Sequence, residues 1–96
     1  MKTYYVYILR CSDKMYYAGI TNNLSRRLFE HKNGKHPNSY TYSRRPIVLV
    51  YYCEFTDVNF AIETEKRIKK WSKVKKEALI SGSYELLPNL SKKKFK

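Results

Sequence analysis

Ninety-six residues are enough for one domain with a modest core and too few for two. Hydrophobic residues make up 43% of the chain and are spread along it, which argues for a folded protein despite 29% charged residues; no segment approaches the roughly 18 apolar residues of a spanning helix. Twenty Lys and Arg against eight Asp and Glu give a formal charge of +12, concentrated in KRIKKWSKVKK (66–76) and SKKKFK (91–96). A polyanion is the natural partner, and nucleic acid suits it better than a membrane because the basic stretches lack a long apolar face. The opening MKTYYVYILRCS has no apolar run before a small-residue cleavage site. Cys11 and Cys53 have neither a metal-ligand spacing nor a disulfide framework. A reducing cytoplasm is therefore expected.

Residues 3–11 (TYYVYILRC) and 15–21 (MYYAGIT) are rich in aromatic and β-branched residues, and the intervening SDK is a turn, so a hairpin is expected. NNLSRRLFEHKNG (22–34) reads as a helix capped by Asn22 or Thr21 and stopped by Gly34. KHPNSYTYSRRP (35–46) is a polar, proline-bounded loop. The near-continuous apolar run IVLVYYCEF (47–55) predicts a third strand, central or well covered on both faces. DVNFAIETEKRIKKW (57–71) predicts a second helix capped by Asp57, and SKVKKEALISG (72–82) a third capped by Ser72 and ended by Gly82. The order β-β-α-β-α-α predicts an α+β fold with a small antiparallel sheet covered by helices, one domain over 1–82 and a basic C-terminal tail over 83–96.

Side chains alternate across a strand, so the length of the turn decides which tyrosines share a face. A three-residue SDK loop sets Cys11 against Met15, Tyr7 against Gly19 and Leu9 against Tyr17, with Val6, Ile8, Ala18 and Ile20 on the other face. A two-residue loop would split Tyr7 from Tyr17 and mix polar with apolar residues on both faces. The longer loop is therefore expected, and Gly19 opposite Tyr7 leaves room for the phenol or for close approach of a ligand.

On the first helix Leu24, Arg27, Leu28 and His31 share one stripe, which places an arginine and a histidine toward the sheet. On the second, Val58, Ala61, Ile62, Glu65, Ile68 and Lys69 form the expected inward stripe, and Glu65 stands on it. A buried carboxylate costs several kcal/mol, by order of magnitude, unless it is paired or holds a metal. Either Arg27 forms a structural bridge to Glu65, or these groups and the two tyrosines are parts for cutting a phosphodiester. Trp71 follows the apolar stripe of its helix and is read as core rather than as a base-stacking residue.

With these residues in place the chain resembles the GIY-YIG nuclease superfamily, in particular its short stand-alone bacterial members. YVY (5–7) stands where that family has Gly-Ile-Tyr and YAG (17–19) where it has Tyr-Ile-Gly. Arg27 and His31 match the helical Arg-x-x-x-His/Tyr pattern, and Glu65 the glutamate before an Ile-Lys pair. The likeness runs from residue 3 to about 80. Two departures stand out: Tyr5 replaces the first glycine of the motif, and WSKVKKEALI offers no match for the asparagine that many members carry after the glutamate helix.

The resemblance implies a three-stranded antiparallel sheet flanked by helices and a metal-dependent endonuclease, with DNA a more natural substrate than RNA and branched or damaged DNA of repair or recombination among the targets. It implies one Mg²⁺ or Mn²⁺ held by Glu65, with water and substrate phosphate as the other ligands. Arg27 would donate to the scissile phosphate, and Tyr7 would act as the general base, passing its proton to His31 or to a metal-bound hydroxide. Tyr17 would position water or phosphate, and Gly19 and Thr21 would be structural. Arg26, Arg44, Arg45, Lys69, Lys70, Lys73, Lys75 and Lys76 are the expected sequence-neutral phosphate contacts. The alternative is a nucleic-acid-binding module, for DNA or structured RNA, that keeps the fold with little catalysis. In either case a protein partner would supply specificity.

Overall fold

A computed structural model describes residues 2–82 of the chain; the expected tail over 83–96 lies outside them. The hairpin of β1 (Tyr4–Arg10) and β2 (Tyr16–Thr21) is closed by a three-residue turn, with the Cys11 N–H donating to the Met15 carbonyl at 2.9 Å. Lys14 takes the left-handed conformation at φ 68°, and Asp13 Oδ1 accepts from the Met15 N–H at 3.1 Å to brace it. The register is the expected one: Tyr7 lies opposite Gly19, and Leu9 opposite Tyr17.

The remaining elements are α1 (Leu24–Asn33), β3 (Val48–Phe55), α2 (Val58–Lys69) and α3 (Lys73–Ile80), giving an α+β fold in the expected order. The sheet order is β2-β1-β3, all antiparallel, with β1 in the centre. One face, carrying Val6, Ile8 and Ala18, packs on Ala61 and Ile68 of α2 and Ala78 and Leu79 of α3. The other, carrying Tyr7 and Leu9 with Leu49 of β3 beside Leu9, is covered by Leu24 and Leu28 of α1 together with Ile47. Trp71 is partly buried against the first cluster, as its stripe position predicts.

Three expectations are corrected. The strand buried on both faces is β1, where Val6–Leu9 are enclosed; β3 is an edge strand with Val48 and Tyr52 exposed. An unbroken apolar run does not say which strand is central, because tyrosine and valine serve on a half-open edge as well as inside. Secondly, α1 is capped by Asn23, whose side chain accepts from the Arg26 N–H at 3.0 Å; buried Thr21 instead accepts from the Asn23 N–H at 3.1 Å and fixes the chain's entry to the helix. Finally, the buried stripe of α2 is Ala61, Thr64, Glu65 and Ile68, leaving Val58, Ile62 and Lys69 exposed. Thr64 is tolerated inside because its hydroxyl donates to the Phe60 carbonyl at 2.8 Å. Asp57, Ser72 and Gly34 serve as expected, Gly34 closing α1 at φ 64°.

A Cβ built on Gly19 would lie 2.5 Å from the Tyr7 hydroxyl oxygen, so the Tyr7 ring occupies the space of the missing side chain. Gly19→Ala is therefore expected to displace the ring and lower unfolding stability by about 1–3 kcal/mol, read as a lower denaturant midpoint at unchanged slope. An unchanged midpoint would contradict this packing.

Candidate active site

Tyr7 is the pivot of the site. Its side chain is 1% exposed, and its hydroxyl meets His31 Nε2, delivered by α1, at 3.0 Å. His31 Nδ1 meets Thr41 Oγ1 at 2.8 Å, and Thr41 Oγ1 lies 3.3 Å from Ser39 Oγ. In the tautomer that lets Tyr7 donate to Nε2, Nδ1–H donates to Thr41 and the threonine hydroxyl turns to Ser39, so every member has a partner. Thr41 is 1% exposed and comes from the loop before β3, which carries a short 3-10 turn at Tyr42–Arg44.

Burial pushes the Tyr7 pKa up to about 12; the Tyr17 and Glu65 charges also raise it, while hydrogen bonding and charge from Arg27 oppose the rise. Burial and then the Arg27 charge push His31 below its usual range, so the imidazole is neutral at neutral pH and free to accept at Nε2. Tyr17 packs its ring against His31, at 5.4 Å between centroids, and against Tyr7 at 6.4 Å. Tyr40 stacks on Tyr17 at 5.7 Å and 25°. Arg27, His31, Tyr7 and Tyr17 thus converge on one face, as their spacing predicts.

Arg27 does not bridge to Glu65. Its Nε lies 3.4 Å from Glu30 Oε1, one turn along the same helix. Glu30 also faces Arg26 at 4.0 Å, Lys35 at 3.7 Å and His36 at 3.6 Å. Burial raises its pKa, but Lys35, His36 and Arg27 outweigh that and hold the carboxylate ionised below its usual range. Glu30 therefore fixes the guanidinium by one contact and ties the following loop to α1 by two more.

Glu65 is 7% exposed, and its Oε2 receives Lys69 Nζ at 2.8 Å, the pairing of neighbours one turn apart. This pair excludes the structural Arg27–Glu65 bridge, one of the two readings the sequence left open. Lys69 is held charged chiefly by its hydrogen bond to Glu65, and its ammonium lies 5.9 Å from the Tyr17 ring centre. Among the described residues no group of three or more His, Cys, Asp or Glu could hold a metal ion between them. A hard cation that keeps most of its water needs only one protein carboxylate. Glu65 fits that role, as an oxygen donor whose present partner is a lysine with a half-exposed side chain.

Of the basic residues expected to meet phosphate, Arg44 donates to Asp13 Oδ2 at 3.0 Å and lies 4.0 Å over the Tyr40 ring, while Arg45 lies over Tyr42 at 4.5 Å. Lys70, Lys73 and Lys75 are exposed; Lys76 is half-buried, which lowers its pKa. Thr41, Glu30 and Tyr40 were not legible as site residues. Thr41 sits in a polar loop with no periodicity, and only the Tyr-Thr-Tyr tract sets it apart from its neighbours.

The model of the GIY-YIG catalytic domain matches residues 3–78. A UPF0213 protein of Syntrophus aciditrophicus is 44% identical over 85 residues, covering 88% of this chain and 98% of that protein. The solution structure of UPF0213 protein BH0048 of Bacillus halodurans aligns over 98% of this chain and 99% of its own at TM-score 0.56 and 35% identity. That of protein EF2693 of E. faecalis covers 88% of each chain at TM-score 0.61 and 31% identity.

Tyr7 and His31 give opposite pH signatures. Tyr7 holds its proton more tightly folded than unfolded, so stability from this group is complete below about pH 10 and is lost between about 10 and 12. The loss is on the order of 3 kcal/mol, and Tyr7→Phe is expected to flatten that part of the stability–pH curve. His31 binds its proton less tightly folded, so its contribution is present above about pH 6.5 and falls away in acid. An NMR titration should place the His31 midpoint below 6.5.

Proposed function

The chain belongs to the GIY-YIG nuclease family, and on that premise we propose that it is a divalent-metal-dependent endonuclease hydrolysing phosphodiester bonds in nucleic acid, DNA before RNA. The observation that carries the proposal is the buried Tyr7–His31 hydrogen bond, 3.0 Å long, with Arg27 and Glu65 both near enough to shift the phenol's pKa. A buried phenol linked to a neutral imidazole, beside a guanidinium and a carboxylate, is more than a core needs.

The chemical difficulty is the base. A phenol of pKa about 12 is ionised in only about one molecule in 10⁵ at neutral pH, a cost on the order of 7 kcal/mol if phenolate had to form first. Transfer in concert avoids this: Tyr7 takes the proton of the attacking water as its own passes to His31 Nε2, and Thr41 Oγ1 holds the Nδ1–H of the resulting imidazolium. The Arg27 charge depresses His31 in the free protein. A phosphate bound on Arg27 would offset that charge and restore the imidazole's basicity as the substrate arrives.

Arg27, oriented by Glu30, would bind the scissile phosphate through its planar guanidinium. The Tyr17 hydroxyl would position water or phosphate. Family members generally use a divalent metal; held by Glu65, it would act as a Lewis acid on the phosphoryl and leaving oxygens. Lys69, whose ammonium reaches Glu65 from an exposed position, would with Lys70 and Lys73 offer the substrate's phosphates further contacts.

Purified protein incubated with supercoiled plasmid, branched DNA and structured RNA in Mg²⁺, Mn²⁺ or EDTA tests the proposal. Metal-dependent cleavage is expected, with Glu65→Ala slower by about 100-fold or more while salt-sensitive binding persists. Cleavage unchanged in folded Glu65→Ala would remove this site from consideration. Tight binding with no cleavage in any metal would replace the nuclease by a binding module.

A further inference from the structure

The face that carries Tyr7 is only partly covered. α1, with Ile47, closes the end at Leu9 and Leu49; at the other end Tyr52 is 50% exposed. Tyr52 is the direct cross-strand partner of Tyr7 on edge strand β3. Tyr5, two residues before Tyr7 and so on the same face, packs against Tyr52 in an edge-to-face pair at 6.1 Å and 62°. Tyr52 thus presents a half-exposed aromatic ring one strand from the Tyr7 backbone, and two strands, about 10 Å, from Gly19, over which the Tyr7 hydroxyl lies.

We propose that Tyr52, braced by Tyr5, stacks on one unpaired nucleobase of the nucleic acid whose phosphate is held beside Tyr7. The assignment rests on the nuclease proposal for the position of that phosphate. Three observations select a base over other occupants. The surface is tyrosine rather than aliphatic, and stacking on an aromatic ring accepts any base through its π-face. It lies on the same face of the sheet as the candidate active site, Tyr52 standing opposite Tyr7 in the strand register, on a protein of formal charge +12 that draws polyanions to itself. Glu54 stands opposite Tyr5 on the same face and is exposed, so a carboxylate repels phosphate from this end and leaves it to the uncharged part of a nucleotide. A duplex hides the faces of its bases in its own stack, so the platform engages only a base that is unpaired or turned out.

The test is equilibrium binding by fluorescence anisotropy with the full chain in EDTA, where nothing is cut, and in enough salt to suppress the phosphate term. The probes are a labelled single-stranded oligodeoxyadenylate, an abasic strand of the same length and the oligodeoxyadenylate paired to its complement. Wild type is expected to bind the abasic and duplex probes about tenfold more weakly than the base-bearing single strand. Tyr52→Ala should abolish the difference and Tyr52→Phe retain it. On the wild-type protein the Tyr52 ring protons should move upfield in NMR with the base-bearing strand and stay in place with the abasic one, which decides the matter if Tyr52→Ala does not fold. Equal binding of the base-bearing and abasic strands by wild type, a difference that survives in folded Tyr52→Ala, or unmoved ring protons would overturn the proposal. Base-dependent binding by a protein that cuts nothing would sink the nuclease proposal alone; cleavage without base dependence would sink only this one.

Discussion

Much of the molecule is arranged around one buried oxygen. Laying the Tyr7 ring across Gly19 takes its hydroxyl out of water, and an unpaired buried hydroxyl costs about 1–3 kcal/mol. His31 meets that need, which fixes the rotation of α1 about its axis: Leu24 and Leu28 enter the core on the same stripe that carries Arg27 and His31. The second nitrogen of His31 then needs a partner of its own, and the return loop supplies Thr41. Among the described residues no buried side-chain nitrogen or oxygen is left without a hydrogen bond. A turn of three residues, a glycine on β2 and the stop at Gly34 all serve this one chain of contacts.

The acids are scarce and placed to hold cations. Eight carboxylates stand among twenty basic side chains. Glu30 collects contacts from Arg26, Arg27, Lys35 and His36, Asp13 fixes Arg44, and Glu65 holds Lys69. The exposed Arg44–Asp13 pair adds little to stability, about 0–1 kcal/mol, while the Glu30 and Glu65 side chains are only 13% and 10% exposed. The consequence of these pairs is geometric: a guanidinium held in one orientation meets a phosphate with less freedom to lose.

What was legible in the sequence follows the range of the forces involved. Period-two alternation gave the hairpin register because a one-residue slip would have split Tyr7 from Tyr17 and mixed polar with apolar residues on both faces. Spacing along α1 gave Arg27 and His31 because they share a helical stripe with two leucines. The same logic failed on α2, where Thr64 takes an inward place by bonding its own backbone and Ile62 faces out. Glu65 was legible as anomalous, and Lys69 four residues on was within reach of the same count, yet Arg27 was preferred because sequence spacing says nothing about distance between helices. Thr41 and Tyr40 meet the site through a loop whose path is set by Arg44, Asp13 and the Tyr17 ring. These are contacts between segments far apart in the chain, and no local pattern encodes them.

The tyrosine at position 5, where the resemblance leads one to expect glycine, has a physical answer in the same geometry. Tyr5 and Tyr7 point to one side of β1, about 7 Å apart along the strand, and a second ring there would crowd the first if both leaned the same way. They do not. Tyr7 leans over β2, into the room left by Gly19, while Tyr5 leans over β3 and meets Tyr52. The glycine that the phenol requires is therefore the one on the neighbouring strand. A side chain at position 5 is accommodated because β3 is an edge with an exposed aromatic to receive it, so the departure from the motif alters the surface beside Tyr7 and leaves the packing that holds Tyr7 intact.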